Sequence, residues 1–232
     1  MGKKFQTGAG DKVKVYVALL PLGSRVEPVD VTVTTGSGGI TAASNTITVA
    51  ALSGPIAAGT PLLFTNGGGG KLLTYLATDA VAGATSLAVE TTTGSLAGTC
   101  TASYVAKLRL AGGTSTGAKI GNSTTESLVF EDQQGYEDGV VTKANWEIPW
   151  TANLLADDDS YRRIYYAASN GTSGREVYVW QYDPPPVGAT TGDGLKGACI
   201  VGDFSKDFKS DAIVTFQTTF KGQGSPTFIR YA

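Results

Sequence analysis

The sequence has no histidine, only two cysteines and a single methionine among its 232 residues. Without histidine the commonest general base and the commonest metal ligand are both missing, and a Ser–His–Asp triad is impossible. Cys100 and Cys199 lie too far apart in sequence to form a disulfide framework, and read as small buried apolar residues. Charge is also scarce: charged residues make up 16% and the formal net charge is −2, so the chain lacks the basic excess that phosphate binding needs. No apolar run approaches the roughly 18 residues of a membrane span. The apolar run from Val13 to Leu20 is broken by Lys14 and leads into Pro21-Leu22-Gly23. It reads as a first strand and not as a signal peptide.

What the chain has instead is 31 glycines with abundant Thr, Ser and Ala, a composition suited to short strands and turns. Charge nearly vanishes between about Ser37 and Tyr104, where only Lys71, Asp79 and Glu90 occur. The same stretch repeats itself. Asn45-Thr46-Ile47-Thr48-Val49 is echoed by Thr85-Ser86-Leu87-Ala88-Val89, and Gly54-Pro55-Ile56-Ala57-Ala58-Gly59-Thr60 by Gly94-Ser95-Leu96-Ala97-Gly98-Thr99. Between the copies, Pro61–Thr65 and Lys71–Leu76 predict a hairpin. Two copies are too few for a solenoid. We therefore expect an inserted small all-β domain over 37–104, and a discontinuous host domain over 1–36 and 105–232, with Val29–Val33 as the host's second strand.

One amphipathic helix is expected. After the alternating strand Trp146, Ile148, Trp150, the period lengthens to place Leu154, Tyr161, Ile164, Tyr165 and Ala168 on one packing face. Asp157, Asp158, Asp159 and Ser160 supply the cap, and Asn170-Gly171 the stop. A lone helix among strands must lay that face on a sheet. Pro149 suggests a strand edge or end. The polar stretch Glu131–Asn145 reads as a long loop, and Gly202–Asp207 as a linker between two closing strands.

Several motifs reduce to plainer explanations. Gly67-Gly68-Gly69-Gly70-Lys71 lacks the Ser or Thr and the helix of a phosphate loop, and reads as a hairpin turn. The Asp triplet lacks the ligand spacing of a calcium loop and reads as a helix cap. Trp146, Trp150 and Trp180 read as core and not as a sugar platform. Paired carboxylates such as Glu137 and Asp138 are not selected by any spacing for hydrolysis. One charge feature stands out: from Glu126 to Asp159 the chain carries nine acidic residues opposed only by Lys143.

Asn145–Asp183, with Gly202-Asp203-Phe204-Ser205-Lys206-Asp207, Ile213–Phe220 and Gly222-Gln223-Gly224-Ser225-Pro226-Thr227, resembles the strand–helix–strand centre and the ending of the tail tube (major tail) proteins of long-tailed bacteriophages. The resemblance covers 1–36 and 105–232, and the insert resembles small β modules that decorate other virion proteins. It implies a mainly β fold, two packed antiparallel sheets flanked by one helix, and no enzymatic activity or cofactor. It also implies self-assembly into hexameric rings stacked as a tail tube, through which the genome passes without sequence-specific binding. Glu131, Asp132, Tyr136, Glu137 and Asp138 become candidates for contact between rings. Tape measure, tail-tip or baseplate and terminator proteins become expected partners, with a sheath where the tail is contractile. The expected location is the virion tail, assembled in the host cytoplasm. The alternative reading is a virion decoration or adhesion protein whose inserted module binds carbohydrate.

Overall fold

The computed structural model describes residues 13–127, 138–155, 158–169, 176–186, 188–208 and 213–231, with side chains outside 123–127 and 138–143. Strand β1 (Lys14–Leu19) opens the fold. Six strands follow in the low-charge stretch: β2 (Val31–Thr34), β3 (Thr46–Thr48), β4 (Pro61–Asn66), β5 (Lys71–Tyr75), β6 (Ser86–Ala88) and β7 (Cys100–Tyr104). Then come β8 (Leu108–Arg109), β9 (Gly113–Thr116), β10 (Lys119–Ser127), β11 (Asp138–Asn153), helix α1 (Asp159–Ser169), β12 (Glu176–Tyr182), β13 (Gly192–Asp207), β14 (Thr215–Gly222) and β15 (Thr227–Tyr231).

The fold is mainly β, with antiparallel sheets and one helix. A nine-stranded sheet runs β10-β11-β14-β13-β12-β1-β8, with β15 on β13 and β9 on β11. The two 16-residue strands β11 and β13 each change partners along their length, which folds this sheet over itself. Val15, Val17, Leu19, Val177 and Val179 thereby meet Trp146, Ile148, Trp150, Phe216 and Phe220 in one core, with Ile164 and Ala167 of α1. The three host tryptophans are buried, as their alternation predicts. The other face of β1 and β12 carries Tyr16, Ala18, Leu20, Tyr178, Trp180 and Tyr182, a second small cluster.

Pro149 lies in the middle of β11 and does not end it. It sits where the outer partner changes from β10 (Glu147↔Lys119) to β9 (Trp150↔Thr116), so its missing donor coincides with a break in pairing. Of the loop expected over Glu131–Asn145, the residues before 138 lie outside the described residues and the rest is not loop. Asp138–Asn145 is strand, because it pairs antiparallel with β10. The Gly202–Asp207 linker is likewise strand: β13 runs through it with an irregularity between Gly202 and Ser205, and Asp203 takes φ 50.

The low-charge stretch builds its own core around Phe64, Leu62, Ile56, Leu76 and Leu87. The strand expected in the host at Val29–Val33 is β2 of this module, since Val31–Thr34 pairs with Thr101–Tyr104. The module's own pairing therefore begins near Val31 and not at 37. Its sheet runs β2-β7-β4-β5, and β3 pairs β6.

That order exposes an internal two-fold relation. Copy one holds β2, β3 and β4, and copy two holds β5, β6 and β7. Every strand pair joins one copy to the other. Hydrogen bonds repeat with the copies exchanged: Val49 N to Thr85 O (2.9 Å) matches Val89 N to Asn45 O (2.9 Å), and Ala43 N to Thr92 O (2.9 Å) matches Gly83 N to Leu52 O (2.8 Å). The bridges Ile40↔Leu96 and Ile56↔Ala80 match in the same way. Neither copy can satisfy its backbone alone, and the turn over Gly67–Gly70 is their covalent link. Cutting that turn at an engineered protease site should therefore leave the two fragments bound and co-eluting in gel filtration. Separation without denaturant would contradict the interlocked arrangement.

Candidate assembly surface

Strand β10 is the outermost strand of the large sheet and pairs only with β11 among the described residues. Lys119, Ile120, Gly121 and Asn122 along it are all exposed, and Ile120 keeps 56% of its surface in water. An edge of this length presents a row of unpaired backbone donors and acceptors, a template for another strand. Its charge is light: Lys119 Nζ lies 3.3 Å from Glu147 Oε1 across the pair, an exposed bridge that contributes little. Behind the edge, a hollow of about 480 Å³ is floored by Trp146, whose Nε1 donates to Gly224 O at 2.8 Å. Gly222 is required there, because a Cβ would come within 2.1 Å of the Trp146 ring. Further apolar groups lie exposed at Phe228 on β15, and at Phe208 and Ile213.

Of the inter-ring candidates, Glu131, Asp132, Tyr136 and Glu137 lie outside the described residues. Asp138 opens β11 opposite Ser127, at the far end of the β10–β11 hairpin. The helix face differs from expectation by about one position. Ser160, Arg163, Ile164 and Ala167 are the buried residues. Ile164 is fully buried, Tyr161 packs partly on the core, Ala168 is half-buried and Tyr165 is 47% exposed. Leu154 packs on the core from before the helix begins. Asp158 supplies the cap, its Oδ1 accepting from Ser160 N at 2.9 Å.

Arg163 is the reason for the rotation. It is 4% exposed, and its guanidinium donates to Ala106 O and Val105 O, each at 2.7 Å. It also sits 5.3 Å from the centre of the Tyr104 ring. Burial pulls this group below its ordinary range. Carbonyl dipoles on the chain leaving the module thus compensate a buried cation. Tyr161 and Tyr165 are left on the flank, stacked together and with Lys206 Nζ 4.1 Å from the Tyr165 ring centre.

The same joint is tied at other points. Asp79 accepts from Ala58 N (2.7 Å) and from Leu22 N (2.9 Å), and Asp30 accepts from Ala106 N (2.8 Å). Lys107 donates to the Tyr182 hydroxyl and lies within 4.9 Å of the Tyr16 ring centre. Glu27 accepts from Trp180 Nε1 (2.7 Å) and pairs with Lys196 (2.6 Å). Scarcity could have flagged Asp79, the one acidic residue besides Glu90 in the module. Arg163 carried no such signal, since a cation one step from a helix stripe usually faces water.

Burial raises the Glu27 carboxyl, but the hydrogen bonds from Lys196 and Trp180 outweigh it, and the group ends below its ordinary 4.5. The hydrogen bond to Glu27 raises Lys196 above 10.5. The Glu27 contribution is therefore present above pH 4.5 and lost as pH falls through the lower folded value, while that of Lys196 is lost only as pH rises past 10.5. Among the described residues no group of three His, Cys, Asp or Glu side chains could hold a metal ion. Nor is any helix long and apolar enough to cross a membrane. Both cysteines are buried and unbridged, and burial pushes the Cys199 thiol up.

No family model matches the chain, and no curated protein matches it. Solved structures that match part of the chain include a chain from the virion of a native gene transfer agent particle. It has a TM-score of 0.45 and 14% identity, over 53% of this chain and 88% of that one. Another is a chain from the tail of an empty gene transfer agent particle of C6 symmetry, with a TM-score of 0.43 and 14% identity, over 54% of this chain and 87% of that one.

Two outcomes test the joint. Arg163→Met strands the Val105 and Ala106 carbonyls, and should cost about 3 kcal/mol in urea unfolding while making residues 105–110 the first site of proteolysis. A loss under about 0.5 kcal/mol, the range of an ordinary surface substitution, would contradict the clamp. Acid titration should release the Trp180 indole below pH 4.5, seen as a tryptophan emission change that Glu27→Gln removes.

Proposed function

We propose that the chain is a structural virion subunit of a phage-type tail, building hexameric rings that stack into a tube for the genome. The open edge of β10 carries this reading. A neighbour's strand laid on it would continue the sheet around a ring, and a closed ring removes the edges that otherwise drive aggregation. A barrel of many more than the 16–18 strands that already leave a channel has a wide bore. Hexameric order and stacking come from the sequence resemblance to tail tube proteins. In that arrangement Glu131, Asp132, Tyr136, Glu137 and Asp138 contact the adjacent ring. An acidic lumen repels the duplex and lets it slide. The module over 31–106 faces outward, held rigidly by the Arg163 joint. Tape measure, terminator and tail-tip proteins are the partners of such a tube.

Ile120→Lys places a charge on the proposed seam. It should weaken self-association measured by sedimentation by about tenfold or more, roughly 1.4 kcal/mol, with an unchanged circular dichroism spectrum. Equal association by the variant and the parent would sink the edge-pairing reading.

A second reading, a decoration protein that binds saccharide, draws on one observation. A cleft of about 300 Å³ between α1 and the module is lined by Tyr75, Tyr165, Tyr166, Glu90 and Arg162. Aromatic faces beside polar groups suit a sugar ring. A glycan array on the full chain separates the two readings.

A further inference from the structure

A ring closed by rotation needs two different edges on each subunit, because an edge that pairs with its own copy closes as a two-fold dimer. One layer of the large sheet has both. Glu147 of β11 pairs with Lys119 of β10 on one side and with Lys221 of β14 on the other. Trp150 likewise lies between Thr116 of β9 and Thr218 of β14. β9 and β10 therefore follow one another along a single border of the layer. At the other border, β14 pairs with Val201–Asp207, the second half of β13. The pairing of β13 with β12 stops at Ile200, and among the described residues no strand lies on the far side of Val201–Asp207.

Burial changes at the same point. Gly192–Cys199 is mostly buried, whereas no residue from Ile200 to Asp207 is. The irregularity between Gly202 and Ser205, with Asp203 at φ 50, is a feature common at sheet edges. The other open strands do not form this border. β15 lies on the same side of β13 as β14, in line with it, and so faces the β10 side. β8 is two residues long.

The two borders match in direction and in face. β10, β11, β14 and β13 are antiparallel in turn, so β10 and β13 run oppositely. Rotation about a ring axis keeps the sense of each strand along that axis, so β10 of one copy meets β13 of the next antiparallel, the stronger pairing. Ile120 stands opposite Trp146, Val201 opposite Phe220 and Lys206 opposite Phe216, all on the core face of the layer. Ile120 is 56% exposed there, and Val201 and Phe204 are only partly buried. Joining the borders covers all three.

We infer that Val201–Asp207 of one subunit is the strand that pairs with β10 of its neighbour, so that the apolar core continues from copy to copy. The inference rests on the ring-forming reading proposed above. The stagger of a closed barrel sets which residues stand opposite one another.

The test places single cysteines on the two borders and crosslinks them with a short bismaleimide. Cys100 and Cys199 are buried and out of its reach. Ile120→Cys combined with Val201→Cys, and separately with Lys206→Cys, should give a ladder of products ending at a closed ring. Two partner positions keep the test valid if one substitution disturbs folding. Ile120→Cys alone, and Ile120→Cys with Arg109→Cys on β8, should give at least about tenfold less product. A dimer from Ile120→Cys alone overturns the inference, because β10 then pairs with itself. A ladder from the Arg109 combination overturns it as well. A parent chain that associates in sedimentation while neither double variant gives a ladder overturns it and leaves the ring reading standing with another partner strand. A parent chain that does not associate removes both.

Discussion

A buried guanidinium held by backbone carbonyls sets the geometry around it. Arg163 needs several acceptors at once, and the Val105 and Ala106 carbonyls meet that need only if the chain leaving the module passes directly beneath α1. The constraint fixes the rotation of the helix, the position of Tyr104 at the base of the module, and the point where the chain re-enters the large sheet at β8. The other ties, at Asp79, Asp30, Lys107 and Glu27, gather around the same joint. In a chain with so little charge, Arg163, Asp79, Asp30, Lys107 and Glu27 tie the segments that join two β cores.

The two cores solve the edge problem differently. The module interlocks two copies of one motif, so that each strand of one copy finds its neighbour in the other. The large sheet folds over itself by means of two long strands that serve both layers, and this leaves the outer edge of β10 open among the described residues. An exposed edge of this kind is a template for a partner strand. The proposal of a tail subunit is the reading in which copies of the same chain supply it.

Much of this architecture was legible in the residues. Alternation at Trp146, Ile148 and Trp150 placed the core strand, the Asp158 cap placed the helix, and the echo of Thr46–Val49 in Ser86–Val89 revealed the duplication. Three features were not legible, for physical reasons. Pairing partners lie far apart in sequence, so the assignment of Val29–Val33 to the host ignored a strand some seventy residues on. Asp138–Asn145 and Gly202–Asp207 read as loops because Gly and charge depress strand propensity, yet a neighbouring ladder overrode that preference. The helix face was legible at Leu154, Tyr161 and Ile164, which pack on the core, but not at Arg163, because periodicity cannot see an arginine satisfied by carbonyls.

The most direct test is an electron cryomicroscopy map of the assembled protein at a resolution that traces backbone. The account predicts a closed ring in which a strand of one subunit hydrogen-bonds along Lys119–Ser127 of the next, with the 31–106 modules projecting outside a central bore. Rings held by side chains alone, with that edge facing solvent or covered by the subunit's own chain, would contradict it.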